Sequence, residues 1–350
     1  MKRYKIRQLD RMTKNKFISQ KRPMPLTGRS RHNTRPLLAI LTTTVLLVLF
    51  NPQSRTFGQA ATNLKPGDIV YTDSGDAIDG GFVLKLDPQS GQRRALSLGG
   101  YLGFFGYPNA IALDRDGQIV VANEECLLRI NPQTGGQTLI RDFRGSPGAL
   151  WGVAVAPQGD LMVAAETAIL RVNPLTGHTQ VLSSGGYFTV VLSLAVGQGE
   201  GQVYATNARY VAGVGWVGEI IRVNSQTGLQ TLVSQGGNLN YLLGIAISGK
   251  DIYVTGLKTH DENFGIGRVT HVDARTWNQQ VVSEGGNLVR PVGIALANAQ
   301  LVVADPYTVN PDTHNFDGAV IAINPQSGQQ TVIARGYGNI VNPCGLAIVH

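Results

Sequence analysis

The chain has 350 residues, 43 of them Gly and 16 Pro, and is 43% hydrophobic but only 15% charged. A charged content well below the ~25% usual for soluble domains, beside that hydrophobic share, excludes a disordered chain or a coiled coil and leaves ample residues for a large core. The net charge of +7 is no sign of nucleic-acid binding, because residues 1–36 hold twelve Lys/Arg and a single Asp, leaving eighteen basic and twenty-two acidic residues for the rest.

Residues 1–60 read as an export signal. A long basic segment precedes the apolar run 37–50 (LLAILTTTVLLVLF) and a polar stretch ending in Gly58-Gln59-Ala60. Small residues at Gly58 and Ala60 suit cleavage before Ala61. A run of fourteen residues falls short of the ~20 that span a bilayer, which favours cleavage over anchoring. An uncleaved anchor is the alternative, and only then is a membrane a partner. A start at Met24 gives a signal of ordinary length. The mature protein is expected in the bacterial periplasm or outside the cell, with residues 61–66 as a short linker and 67–350 as one domain.

Within that domain a turn motif recurs: Asp87-Pro88-Gln89-Ser90-Gly91, Asn131-Pro132-Gln133-Thr134-Gly135, Asn173-Pro174-Leu175-Thr176-Gly177, Asn224-Ser225-Gln226-Thr227-Gly228, Asp273-Ala274-Arg275-Thr276-Trp277 and Asn324-Pro325-Gln326-Ser327-Gly328. Asn or Asp, Pro and Gly at fixed offsets make a tight turn, the Asx side chain accepting from backbone amides and Gly supplying positive φ. Each copy sits between short β-branched runs, as a hairpin does. Two further runs complete every unit. One begins at Pro108, Leu150, Val191, Leu242, Pro291 and Pro343; the other covers 69–71, 119–122, 161–164, 203–205, 252–254 and 301–304.

With these named strands A to D, the turn motif joining C to D, six four-stranded units at 42 to 51 residues spacing predict an all-β, six-bladed β-propeller. The first unit opens on strand B with no A of its own, and a sixth A strand ends the chain. That orphan strand is expected to complete blade 1 and close the ring.

Gly-Ile-Ala followed by a Gly/Asp turn, then Ile-Val-Val-Ala-Asp/Asn, then a strand ending in Asn-Pro-x-Thr/Ser-Gly, resembles the NHL-repeat propellers and their bacterial relatives, the streptogramin lyases and the gluconolactonase/senescence-marker group. The resemblance covers residues 67–350. It implies a candidate site at the mouth of the central channel, on the face shared by the D–A and B–C connections, here called the top. The residues preceding the Gly of strand A form a ring there: Asn109, Trp151, Leu192, Leu243, Val292 and Cys344. Gluconolactonase-like enzymes hold a divalent metal at this mouth with carboxylates and an Asn, which makes Asn109 the carried-over ligand, but no other ring position is acidic. Streptogramin lyases use Glu and His there, and no Glu-x-His pairing accompanies His260 or His314.

The B–C loops of blades 1, 4, 5 and 6 are long: 73–81, 207–218, 256–265 and 305–318. Those of blades 5, 6 and 1 bring Asp73, Asp76, Asp79, His260, Asp261, Glu262, Asp305, Asp312, His314 and Asp317 to one side of the ring. They are expected to form a patch for a divalent cation such as calcium, or for a cationic or polyhydroxy ligand, since gathered carboxylates repel one another unless something offsets their charge. Blade 4 instead offers Tyr210, Val211, Val214, Trp216 and Val217, a segment expected to pack over the rim. The two cysteines, Cys126 on strand C and Cys344 on strand A, are expected to be free, because strands two spacings apart lie beyond disulfide reach. The reading is thus a monomeric binding or interaction module whose top face takes a small molecule, a glycan or a protein, and not nucleic acid. The alternative is a metal-assisted hydrolase or lyase at the channel mouth.

Overall fold

The computed structural model describes residues 63–75, 80–104, 106–145, 148–197, 201–258, 265–297, 299–336 and 341–350. Residues 1–60, read above as an export signal, and Asp76, Asp79, His260, Asp261 and Glu262 lie outside them.

Among the described residues, twenty-four strands form six four-stranded antiparallel sheets. Blade 1 joins β24 (Pro343–Ile348) to β1 (Ile69–Asp73), β2 (Phe82–Leu86) and β3 (Arg93–Leu98). Blade 2 is β4 (Pro108–Leu113), β5 (Ile119–Asn123), β6 (Cys126–Ile130) and β7 (Gln137–Asp142). Blade 3 is β8 (Leu150–Val155), β9 (Leu161–Ala165), β10 (Ala168–Val172) and β11 (Thr179–Ser184). Blade 4 is β12 (Val191–Val196), β13 (Gln202–Val211), β14 (Gly215–Asn224) and β15 (Gln230–Gln235). Blade 5 is β16 (Tyr241–Ser248), β17 (Asp251–Leu257), β18 (Gly267–Asp273) and β19 (Gln279–Glu284). Blade 6 is β20 (Gly293–Ala297), β21 (Gln300–Asp305), β22 (Ala319–Ile323) and β23 (Gln330–Arg335). A one-turn helix, α1 (Tyr101–Phe104), lies in the connection from blade 1 to blade 2.

The ring closes in the predicted phase. Ile69 pairs with Ile348, Val70 with Ala347 and Tyr71 with Leu346. The backbone amides of Gly67 and Val349 extend that seam by donating to Val349 and Asp68 carbonyls.

The B strands are buried along their whole length in blades 1, 2 and 3, because both faces of each blade pack against neighbours; this is why they read as unbroken apolar runs. The core is accordingly six layers, one per joint. Leu127 and Val120 of blade 2 meet Leu150 and Leu170 of blade 3 in one of them, and Tyr71 and Leu84 of blade 1 meet Val302 and Val320 of blade 6 in the closing one. In all six blades the C–D pairing carries a bulge, such as that between Val83 and Leu84, which raises the twist each blade needs to wrap the axis.

A polar clamp fastens four of the joints. Gln330 Nε2 donates to Ser283 Oγ (3.0 Å) and to the Gly285 carbonyl (2.9 Å), while its Oε1 accepts from the Asn287 amide (2.8 Å). Gln137 and Gln230 do the same against Ser97 and Ser183, and Gln279 donates to Ser234 Oγ and accepts from the Asn238 amide. The two glycines that follow each Ser by one residue, as Gly285 and Gly286, have φ near +60°, and a Cβ on Gly286 would stand 2.9 Å from Gln330 Oε1. Thr179 and Arg93 occupy the Gln position at the other two joints.

Two features depart from the sequence reading. Residues 207–218 are not a loop: β13 and β14 run on as a hairpin, paired from Gln202–Asn224 to Val211–Gly215, because the β-branched and aromatic residues on either side of Gly213 (φ 79°) suit strands. Second, Asn310-Pro311-Asp312-Thr313-His314 in the blade 6 B–C loop is a seventh copy of the C–D turn, on the opposite face. Asn310 Oδ1 accepts from the Asp312 and Thr313 amides, and His314 takes the Gly position at φ 57°.

Candidate functional site

The channel mouth is built by bulges on the A strands. Pro108 pairs with Asn123 and Ala110 with Ala122, leaving Asn109 as an extra residue. Trp151, Leu192 and Leu243 fall in equivalent register shifts, and Cys344 in the one between Asp73 and Tyr71. A bulge leaves a residue outside the ladder and re-aims its side chain. Threonines on strand B repair the ladder where it is broken: Thr72 Oγ1 and Thr255 Oγ1 accept from the Gly345 (2.9 Å) and Gly244 (2.8 Å) amides.

Four of the ring residues, Asn109, Trp151, Leu192 and Val292, line a cavity of about 80 Å³ together with Ser193, Ile245, Ile294 and Leu346. Its two sides differ. Over blades 4 to 6, Leu192, Leu243 and Val292 join an apolar cluster with Trp216, Tyr241 and Leu257, so the blade 4 hairpin leans its Trp216 toward the mouth as expected of a segment packing over the rim. Tyr210 and Val214, at the tip of the same hairpin, stay exposed (52% and 74%). Over blades 1 to 3 the mouth is more polar. Asn109 Nδ2 donates to the Leu150 carbonyl at 2.8 Å, the Trp151 indole N–H is buried without a partner, and Cys344 Sγ lies 3.3 Å from the Asn342 carbonyl. Burial pushes the Cys344 thiol up to about 12, which keeps it protonated. Both cysteines are free thiols.

The acidic side of the ring divides into separate roles. Asp73 and Asp305 are fully buried and do not join an exposed patch. Asp305 Oδ2 accepts from the Val289 (2.7 Å) and Arg290 (2.9 Å) amides and Oδ1 from the Tyr307 amide (2.9 Å). Asp73 accepts from Gly75 (2.8 Å) and Asn342 (3.1 Å). Each carboxylate ties its B–C loop to the preceding D–A connection, a role that residue type alone does not reveal. Asp312 and His314 are exposed turn residues, and Asp317 accepts from Asn310 Nδ2 at 2.6 Å.

A divalent metal at the mouth, as the gluconolactonase resemblance implies, does not fit these residues. A hard cation takes several oxygen ligands, whereas the ring offers one amide, one neutral thiol and four apolar or indole side chains. Among the described residues no three His, Cys, Asp or Glu side chains are grouped to hold a metal. His271, on strand C, is engaged with Asp251 at 2.8 Å.

No family model matches the chain, and no curated protein matches it. Among solved structures, a chain of the "Crystal structure of Nidogen/Laminin Complex" superposes with a TM-score of 0.62 at 14% identity, covering 80% of this chain and 97% of that one. The likeness defines the class, a six-bladed β-propeller with four-stranded blades, and at that identity it defines the fold alone.

Proposed function

We propose that the protein is an exported propeller of the NHL-like kind that serves as a protein-interaction module through its top face. The observation that carries this reading is where apolar surface is left bare. Of the eleven exposed large hydrophobic side chains among the described residues, Leu98, Tyr107, Tyr187, Tyr210, Val214, Ile266, Val309 and Phe316 lie in top-face connections or at strand ends entering them. Leu175 and Leu229 flank bottom turns and Val181 lies on an outer strand. Monomeric surfaces rarely gather apolar groups on one face unless something docks there, and long connections on one face of a rigid scaffold are where recognition is placed. Export rests on the basic leader, the apolar run 37–50 and Gly58-Gln59-Ala60; the repeat signature supports the NHL-like grouping.

The test uses protein recovered from the exported fraction, with its N-terminus expected at Ala61. A photo-crosslinking residue is placed at Tyr210 or Val214 on top, and at Leu175 or Leu229 below. Discrete crosslinked species from the top positions alone are expected. Equal crosslinking from both faces, or none, together with retention of the intact leader, would overturn the reading.

A further inference from the structure

Cations on the top of blades 4 to 6 are matched to partners, with one exception. Arg209 pairs with Glu219 at 2.6 Å, and Lys258 and Arg268 share Glu284 at 2.6 and 2.5 Å. Arg335 donates to the Val309 carbonyl and to Asn287 Oδ1. Arg290, in the connection from blade 5 to blade 6, has no hydrogen bond or ion pair from its guanidinium among the described residues, and its Nε is buried without a partner. The buried Asp305 feels its charge but makes no hydrogen bond or ion pair with its guanidinium, since both carboxylate oxygens accept from the backbone amides of Val289, Arg290 and Tyr307.

One aromatic ring lies against this guanidinium, and others lie along the same part of the top face. Its carbon sits 5.7 Å from the Tyr307 ring centre, and Tyr307 meets the exposed Phe316 edge to face at 6.0 Å. Two residues on, Val292 packs in the cluster that holds Tyr241 and Trp216; Tyr241 meets Trp216 at 5.3 Å, and Trp216 meets exposed Tyr210 at 5.6 Å. The outcome is a row of rings across three blades with one unmatched fork of donors in its middle. A half-buried guanidinium with open donors is built for a carboxylate, which it holds through two parallel hydrogen bonds.

We propose that this row is the recognition strip of the top face and that it binds an acidic peptide segment of a partner protein, Arg290 holding an Asp or Glu carboxylate while Tyr210, Trp216, Tyr307 and Phe316 take apolar side chains beside it. The proposal rests on the interaction-module reading and narrows it to one chemistry. A peptide fits better than an acidic sugar, because each edge-to-face pair, at 73°, 86° and 77°, takes up a face on which a sugar ring would stack and leaves ring edges for apolar side chains.

The test titrates the full chain against an immobilised panel of peptides carrying Asp or Glu beside Phe, Tyr or Leu. A matched panel has Asn or Gln in place of the acids, and a third arm holds oligoglucuronate. Binding confined to the acidic peptides is expected, at least tenfold weaker in Arg290→Gln and severalfold weaker in Phe316→Ala, with melting temperatures unchanged. Arg290→Lys keeps the charge without the fork; it should also bind weakly, and it replaces Arg290→Gln if that variant does not fold. Equal binding to acidic and amide panels, indifferent to Arg290, would overturn the carboxylate site while leaving the module intact. Binding to oligoglucuronate alone would overturn the peptide, and silence on every arm would overturn the strip. Crosslinking at Tyr210 and Val214 decides the broader reading separately.

Discussion

Whether Asp or Asn ends a B strand follows from what the adjoining loops point at it. Asn207 Oδ1 accepts from the Thr189 and Val190 amides while its Nδ2 donates to the Tyr187 carbonyl and Glu219, so an amide satisfies both sides. At Asp73 and Asp305 donors approach both oxygens, including the amides of Gly75 and Tyr307, and only a carboxylate accepts on both. Burial outweighs those hydrogen bonds and lifts each acid to about 6. The folded state therefore holds their protons more tightly than the unfolded chain, whose Asp titrates near 3.9. Their contribution to stability is fully present below about pH 4 and is lost as pH rises through about 6. The half-buried Asp87, Asp142 and Asp273 are held below the usual range by hydrogen bonds and act in the opposite sense, at more acid pH. The thermal midpoint should thus fall by several degrees from pH 4.5 to pH 7, and Asp305→Asn should flatten that slope whatever its absolute effect. A slope identical in wild type and variant would show that Asp305 does not titrate in this window.

At the scale of the element, the Gln clamp shows how blades are joined as distinct from how they fold. Removing Gln330 leaves the Asn287 amide and the Gly285 carbonyl without partners in a half-buried seam, which costs on the order of 1–3 kcal/mol. Gln330→Ala should therefore lower stability by about 2 kcal/mol in denaturant titration, with Ser283→Ala at about 1. Because the two share one network, the double variant should cost less than their sum; strict additivity would mean that they act separately. This clamp was hidden in the sequence, since its Ser-x-Gly-Gly and its Gln stand some 45 residues apart and carry no meaning until the blades are laid side by side. The C–D turns were readable, by contrast, because an Asx-Pro-x-Thr-Gly turn is made by local hydrogen bonds alone. The turn at Asn310 escaped notice because it lies in a B–C connection, out of step with the repeat, and His314 takes its Gly position.

For the whole molecule, phase was the most legible property. A unit that starts on strand B and a chain that ends on strand A leave one closure, and β24 makes it beside β1. Deleting residues 343–350 should remove the innermost strand of blade 1, bare the edge of β1, and take Cys344 and Gly345 from the ring of A strands. Gly345 is close enough to the next blade that a Cβ there would lie 2.6 Å from Ala110 Cα. Loss of a cooperative melting transition is expected, and a truncated chain that melts as sharply and as high as the parent would contradict ring closure as the source of stability. The site was less readable than the ring. Asp73, Asp305, Asp312 and Asp317 look alike in sequence, and only the direction of each strand end separates a buried tie from an exposed turn. Arg290 stood out by nothing in its neighbourhood of sequence, because what distinguishes it is the partner it lacks in space.

The bulged A strands set apart the positions that hold the barrel of blades together from those that face a ligand. Asn109, Trp151, Leu192, Leu243 and Cys344 stand outside the pairing of their strands, so the hydrogen-bond ladder does not fix their size or polarity; only what they pack against at the mouth does. Five sockets around one opening can exchange an amide for an indole or a thiol for an aliphatic group with the register of every blade preserved. A single scaffold of this kind can carry many different mouths, and its chemistry can drift while its architecture stands still.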